Sequence, residues 1–259
     1  MIKFAKMHGN GNDFVMVNSL EKEFNPKKAL IKKLGDRNLG IGFDQMIHIG
    51  APSKDNRDFA VKFYNTDGGK ANMCLNGVRC AATYIWDNKF APKRTLIFQT
   101  KKIDVECRPL KEGVEVILKN PTYFISKDLE KKLSKVIKTS FKLVDLGNLH
   151  LCIQKKSIDQ FDLNGLYKKL EALLRPLGIN LSIYSKDKDS YNIRTYENGV
   201  GETLSCGSAS FSVAYLCLKD EIKKTTIKSS GGSIKFTKLD DRILMSGPTK
   251  FVYSGSFHE

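Results

Sequence analysis

One stretch of this chain occurs twice. Read from Phe63, FYNTDGGKANMCLNGVRCAATYI runs to Ile85. Read from Thr195, TYENGVGETLSCGSASFSVAYL runs to Leu216 and lies over the first copy without a gap. Tyr64 meets Tyr196, Gly69 meets Gly201, Cys74 meets Cys206 and Ala82 meets Ala214. The approaches match as well, FAVKFY at 59–64 over YNIRTY at 191–196, both alternating as half-buried strands do. Each copy predicts a strand, a glycine-punctuated loop, a cysteine, and a helix of small and apolar residues. A cysteine among small residues is most often a buried, inert hydrophobe. These two differ, because the repeat preserves the loop chemistry along with the apolar pattern. Each is placed where a loop turns into a helix, and there the unsatisfied backbone N–H groups and the positive end of the dipole favour a thiolate. Two such thiols on duplicated halves suggest two bases facing one substrate.

The chain has 259 residues, enough for one large domain or two of about 120. Hydrophobic residues make up 41%, with 15 Phe and 9 Tyr, which supports substantial cores. No apolar run approaches a membrane span, and MIKFAKMHGN lacks the apolar stretch of a signal peptide. Six cysteines, at 74, 80, 107, 152, 206 and 217, are too sparse for a disulfide scaffold and show no zinc-ligand spacing. Reduced thiols in a cytoplasm and no metal are expected. The formal charge of +15 comes from lysines spread in pairs, as on solvated helix faces, with no arginine-rich or aromatic-interleaved segment. It does not point to nucleic acid, although it can speed encounter with anionic substrates.

Along the chain, a short strand is expected from Ile2, then a tight turn in HGNGND (8–13) and a strand over 14–17. The glycines there do not make a dinucleotide fingerprint, since a strand follows them where that motif needs a helix. His8 reads as structural. A lysine-rich helix over 26–34 precedes the loop RNLGIGFDQ (37–45) and a strand over 46–49. After the first cysteine helix come strands near 95–99, 103–108 and 113–118, and Asn120-Pro121 is a natural hinge. Helices over 128–137 and 163–174 flank a strand over 142–154 that GNLH (147–150) interrupts. After the second cysteine helix, strands are expected at 226–229, 234–239 and 243–246, ending at Gly247-Pro248, a mirror of Asn120-Pro121. A final strand over 251–257 is placed to return to the first half. The division expected is 1–119, carrying Cys74 and packed by 249–259, and 120–248, carrying Cys206.

Six segments together, KMHGNGNDF (6–14), GIGFDQ (40–45), FYNTDG (63–68), CLNGVRC (74–80), GNLH (147–150) and YENGVGETLSCGS (196–208), closely resemble the diaminopimelate epimerase family of amino-acid racemases. Each is weak alone; all six in order are specific and span nearly the whole chain. The resemblance implies an α+β fold of two pseudo-symmetric domains, each a β-barrel-like sheet around a central helix, with the active site in the cleft between them. It also implies a homodimer and a reaction on an amino acid that uses neither cofactor nor metal.

Inverting an α-carbon requires removing a proton from one face and returning one to the other, so two acid–base groups must flank it. The resemblance gives these roles to Cys74 and Cys206. It places the α-carboxylate between two helix N-termini, at Leu75-Asn76 and Gly207-Ser208, where backbone N–H groups stabilise the carbanion. It carries substrate contacts onto Asn12, Gln45, Asn65, Asn148 and, less closely, Asn180, and tuning of the thiols onto His150 and Glu197. Two positions depart from the family. The family's ERG reads Glu197-Asn198-Gly199, so the arginine that grips a distal carboxylate is missing. Its CGN reads Cys74-Leu75-Asn76, so Leu75 makes the pocket more apolar, and it can supply its N–H provided the position does not need a positive φ. Loss of the arginine removes about 1.5–3 kcal/mol from a charge-assisted contact, roughly ten- to hundred-fold in affinity for a diacid. The expectation is a racemase of a single polar amino acid, histidine first, with diaminopimelate or a related bis-amino acid as the alternative. A non-catalytic basic binding protein is the remote third.

Overall fold

The computed structural model describes residues 1–258. In chain order the first part contains β1 (Ile2–Gly9), β2 (Asn12–Asn18), α1 (Lys28–Gly35), β3 (Gln45–Gly50), β4 (Phe59–Asn65), β5 (Lys70–Ala71), α2 (Leu75–Asp87), β6 (Leu96–Gln99), β7 (Asp104–Pro109) and β8 (Val114–Lys119). There follow β9 (Thr122–Tyr123), α3 (Lys127–Val136), β10 (Phe141–Asp145), β11 (Leu149–Gln154), α4 (Leu163–Leu174), β12 (Asn180–Asp187), β13 (Ser190–Glu197) and β14 (Gly201–Thr203). The chain ends with α5 (Gly207–Cys217), β15 (Lys224–Ser229), β16 (Gly232–Leu239), β17 (Arg242–Gly247) and β18 (Lys250–Phe257). It divides into two compact units, Met1–Leu118 with the C-terminal segment from Ser246, and Lys119–Met245.

In the first unit the strands pair in the order β18-β1-β2-β3-β4-β6-β7-β8. The β2–β3 and β4–β6 pairs are parallel and the others antiparallel, with the short β5 antiparallel to β4. In the second unit the order is β9-β10-β11-β12-β13-β15-β16. There β11–β12 and β13–β15 are parallel, and the short β14 lies against β13. Over seven strands, β18 to β7 against β9 to β16, the two patterns are the same in order and direction. A parallel pair needs a long crossover, and each unit supplies helices at matching places: α1 and α4 before β3 and β12, α2 and α5 before β6 and β15. The internal repeat of the sequence thus extends to topology. The fold is α+β, two pseudo-symmetric domains, each a barrel-like sheet around a central helix.

The central helices are α2 and α5, whose residues are nearly all buried. A helix buried on nearly every side has to sit inside a fold, and α2 packs against β1, β2, β3 and β7 while α5 packs against β11, β12, β15 and β16. By contrast α3 buries only Leu129 and Leu133. Ser126 caps it by accepting the Leu129 N–H, as Asp162 caps α4 through Gly165 N–H. The sequence expectation that α4 stops before Pro176 is met, and the chain then tightens into a 3-10 turn, Arg175–Leu177, closed by Gly178 at φ 66°. Helix α1 begins at Lys28, two residues later than the sequence pattern suggests, because Lys27 stays extended as its N-cap.

The loop between α1 and β3 is held against the end of the helix. Gly40, Ile41 and Gly42 N–H groups donate to Asp36, Leu34 and Leu34 carbonyls. A Cβ on Gly40 would come 2.2 Å from the Lys33 carbonyl and 2.7 Å from that of Leu34. Backbone cannot step aside as a side-chain tip can, so Gly40→Ala is expected to destabilise the protein by about 1–3 kcal/mol. Calorimetry should show a Tm several degrees lower; an unchanged Tm would mean that the loop is free to move off the helix.

Candidate active site

The predicted residues fall into two groups, one in each unit. In the first unit Cys74 is the N-cap of α2, in extended conformation at φ −145°. Its Sγ accepts the Gly77 N–H at 3.4 Å, the third N–H of the first turn, which an ordinary helix offers to a serine or aspartate. The thiol is partly exposed and donates to Asn12 Oδ1 at 3.6 Å. Asn76 Nδ2 reaches the same oxygen at 3.3 Å. Leu75 opens the helix and is not among the residues with positive φ, so it meets the condition for presenting its N–H in place of glycine. Its side chain is buried. Gln45 and Asn65, opposite each other on β3 and β4, join through Gln45 Nε2 and Asn65 Oδ1 at 2.8 Å.

Asn12 is held from behind by charge. Its Nδ2 donates to Asp44 Oδ2 at 2.8 Å, and the same oxygen accepts the Asp13 N–H. Asp13 in turn accepts from Lys6 and Arg37, and Lys6 also donates to the Gly42 carbonyl. Burial works to raise the Asp13 carboxyl, but the hydrogen bonds and charges of Arg37 and Lys6 outweigh it and hold it at about 2. Asp44 is pushed above the usual carboxylate range, chiefly by burial, with the charge of Asp13 adding to the rise. His8 keeps a local role, its Nδ1 accepting the Gly11 N–H.

In the second unit Cys206 is the N-cap of α5, at φ −114°, without a side-chain cap bond to the first turn. Its Sγ lies 3.5 Å from Ser208 Oγ, which also accepts from Asn148 Nδ2 at 3.2 Å. Gly207 and Ser208 form the buried first turn. Glu197 Oε1 accepts from the Thr203 hydroxyl at 2.7 Å. Asn180 Oδ1 accepts the Asn198 N–H at 2.9 Å. The Asn198 amide itself turns to the end of α4 and donates to the Leu174 and Arg175 carbonyls at 3.3 and 3.2 Å.

His150 is fully buried on β11, and neither ring nitrogen meets a protein partner among the described residues. Burial alone holds its imidazole down at about 3, so it is neutral through the physiological range. Sequence reasoning did not single out two side chains that complete the first group: Asp44, behind Asn12, and Arg79, whose Nη2 donates to Asn76 Oδ1 at 2.9 Å. The signal for Arg79 was available, since an arginine inside a helix of small and apolar residues has no solvated face to occupy.

The family model described as diaminopimelate epimerase matches residues 4–122. A diaminopimelate epimerase of Wigglesworthia glossinidia brevipalpis is 34% identical over 99% of this chain and 100% of its own length. One from Pseudomonas entomophila is 30% identical over 98% of each. Among solved structures, a phenazine biosynthesis protein of the PhzF family from Bacillus anthracis shares the fold, with a TM-score of 0.72 at 13% identity over 98% of both chains. Fold and relatives together define an isomerase of the racemase and epimerase class. The chain belongs to the diaminopimelate epimerase family. No helix among the described residues is long and apolar enough to cross a membrane.

The buried His150 generates a test. The unfolded chain takes up that proton near about 6.5, whereas the folded protein resists it down to about 3. Between those values the unfolded state binds more protons, so stability falls as pH drops through this window. Tm measured from about pH 7 to about pH 5 should fall more steeply in the parent than in His150→Leu. Equal slopes would show that the folded imidazole takes up its proton as readily as the unfolded one.

Proposed function

We propose that this protein is a two-thiol epimerase in which Cys74 and Cys206 act on opposite faces of an α-carbon, and that its substrate is diaminopimelate. The observation that carries the reading is the placement of both cysteines as N-caps of the two central helices, at equivalent points of a repeated unit. Identity of 34% over the whole length of a diaminopimelate epimerase supports the substrate. In this reading residues 1–119 with 249–259 and residues 120–248 are the two domains, and the enzyme is a cytoplasmic homodimer.

One cysteine removes the α-proton as thiolate while the other, still protonated, delivers a proton to the opposite face. The charge that develops is spread into the α-carboxylate, whose oxygens are received by the N–H groups of Leu75 and Asn76 and of Gly207 and Ser208. Asn12 and Gly77 orient the first thiol, and Ser208 the second. Asn65, Gln45, Asn148 and Asn180 serve as amide contacts to the rest of the substrate, and Glu197 and His150 tune the two thiols. Residue 198 lacks the guanidinium for a distal carboxylate, so a displaced basic side chain must take that role.

A second reading is favoured by one observation. The Asn198 amide is committed to the carbonyls that end α4, which leaves it poorly placed to receive a second carboxylate. A racemase of a single polar amino acid, histidine first, follows from that. The deciding measurement is kcat/KM for diaminopimelate, L-histidine and other single amino acids in parallel. Preference for diaminopimelate by about ten-fold or more is expected. Preference for histidine would replace the substrate and leave the mechanism standing, and Asn198→Arg should then move preference toward the diacid. Cys74→Ala and Cys206→Ala should each abolish inversion; full inversion by either variant would contradict the two-thiol assignment.

A further inference from the structure

Arg79 is the largest fully buried side chain among the described residues. It lies on α2, among small and apolar neighbours, where burying a charge is costly unless something answers it. The space for its guanidinium is made by two glycines. A Cβ on Gly247 would come within 3.0 Å of Nε and Cζ, and one on Gly9 within 3.3 Å of Nη2. So fitted, the guanidinium donates to Asn76 Oδ1 at 2.9 Å. That turns Asn76 Nδ2 to Asn12 Oδ1, the oxygen on which the Cys74 thiol also rests. At the far end Asn12 Nδ2 donates to Asp44.

These contacts form a head-to-tail chain: Arg79 to Asn76, Asn76 to Asn12, Asn12 to Asp44. A guanidinium has only donors and an ionised carboxylate only acceptors. The two ends therefore fix which way round both amides stand, and an amide oxygen, never an amide nitrogen, faces Cys74. Both ends are needed, because either amide could otherwise turn over at little cost. The ionisable groups that act on Arg79 include Cys80 and Cys74 on α2 and Cys107 on β7. Burial lowers its pKa and these thiols work against that fall, but a guanidinium remains charged. Beyond Asn12 the charged groups are Asp44, Asp13, Lys6 and Arg37.

We propose that Arg79 is a positioning residue for the reaction at Cys74, fixing the polarity of the Asn76–Asn12 amide pair beside the thiol and supplying a buried positive charge that favours its thiolate. This rests on the two-thiol reading given above. The thiol form is aimed by Asn12 Oδ1, and the thiolate is answered by the Gly77 N–H and by the guanidinium, so the residue serves both protonation states that inversion requires.

The test is the pH dependence of iodoacetamide alkylation at Cys74 in the free protein, read by mass spectrometry of the Cys74 peptide, with the Cys206 peptide as internal reference. In the parent protein the midpoint should lie below the ordinary thiol value of about 8.5. In Arg79→Gln, which keeps a donor but loses the charge, it should rise by about one pH unit with the Cys206 profile unmoved. Arg79→Lys should return it to within a few tenths of the parent value. In turnover, Arg79→Gln should lower kcat by about ten-fold or more with a much smaller change in KM, and lysine should restore most of it. An unchanged Cys74 midpoint in folded Arg79→Gln overturns the proposal. Should that variant not fold, a parent midpoint at or above about 8.5 overturns it instead. Alkylation needs no substrate, so these outcomes are separate from failure of the two-thiol reading, which would show as absence of inversion in the parent enzyme.

Discussion

Cys74 Sγ occupies the place of an ordinary helix cap, accepting the Gly77 N–H while its own proton rests on Asn12. Much of the first unit is arranged to keep that sulfur there. A Cβ on Gly77 would come 2.3 Å from the tip of the buried Ile47 side chain, so α2 lies close against β3 at the very turn the cysteine caps. The turn between β1 and β2, with Asn10 and Gly11 at positive φ, delivers Asn12 to the thiol. The loop after α1, packed on the helix end at Gly40, brings Asp44 behind Asn12. A weak acceptor such as sulfur would not by itself hold this geometry. The ion pairs of Asp13 with Lys6 and Arg37, partly buried, do so from beneath.

The second unit repeats the topology without repeating these contacts. Cys206 starts α5 as Cys74 starts α2, but it is more deeply buried and its neighbour is the Ser208 hydroxyl, not an asparagine oxygen. Asn148 takes the far side of that hydroxyl, from the turn between β10 and β11, the counterpart of the turn that carries Asn12. Duplication thus preserved the backbone frame and a cysteine at the N-cap position, while the cap bond and the groups that touch each sulfur diverged. A hydroxyl both donates and accepts, so it can follow a change in protonation that a fixed amide oxygen cannot. The two thiols are held to different degrees of rigidity.

The repeat made the two cysteine helices, their N-cap positions and the alternating strands before them legible, because a gapless match that sets Gly69 on Gly201 and Cys74 on Cys206 records backbone geometry directly. Helix α4 was readable to the residue from its apolar spacing and Pro176. The identity of strand partners was not: nothing local in 14–17 says that β2 runs parallel to β3. Asn12, Asn148 and Asn180 were found through motifs, yet their partners were not, since Asp44 and Ser208 are distant in sequence and their pairing follows from topology. Arg79 was passed over because its residue type suggests solvent, and only packing shows that Gly9 and Gly247 make room for it. Asn198 was legible as a departure, but its attachment to the end of α4 was not.

The account stands on two thiols working from opposite faces. Its most direct measurement is the isotope content of substrate and product in heavy water at early times, followed by mass spectrometry with diaminopimelate and with L-histidine. A two-base enzyme delivers solvent deuterium to the inverted product while unreacted substrate still carries its original hydrogen. Early product fully deuterated at the α-carbon, with protiated remaining substrate, is the result the account predicts. Product that retains the original hydrogen, or substrate that exchanges without inversion, would mean that a single base serves both faces and would contradict it.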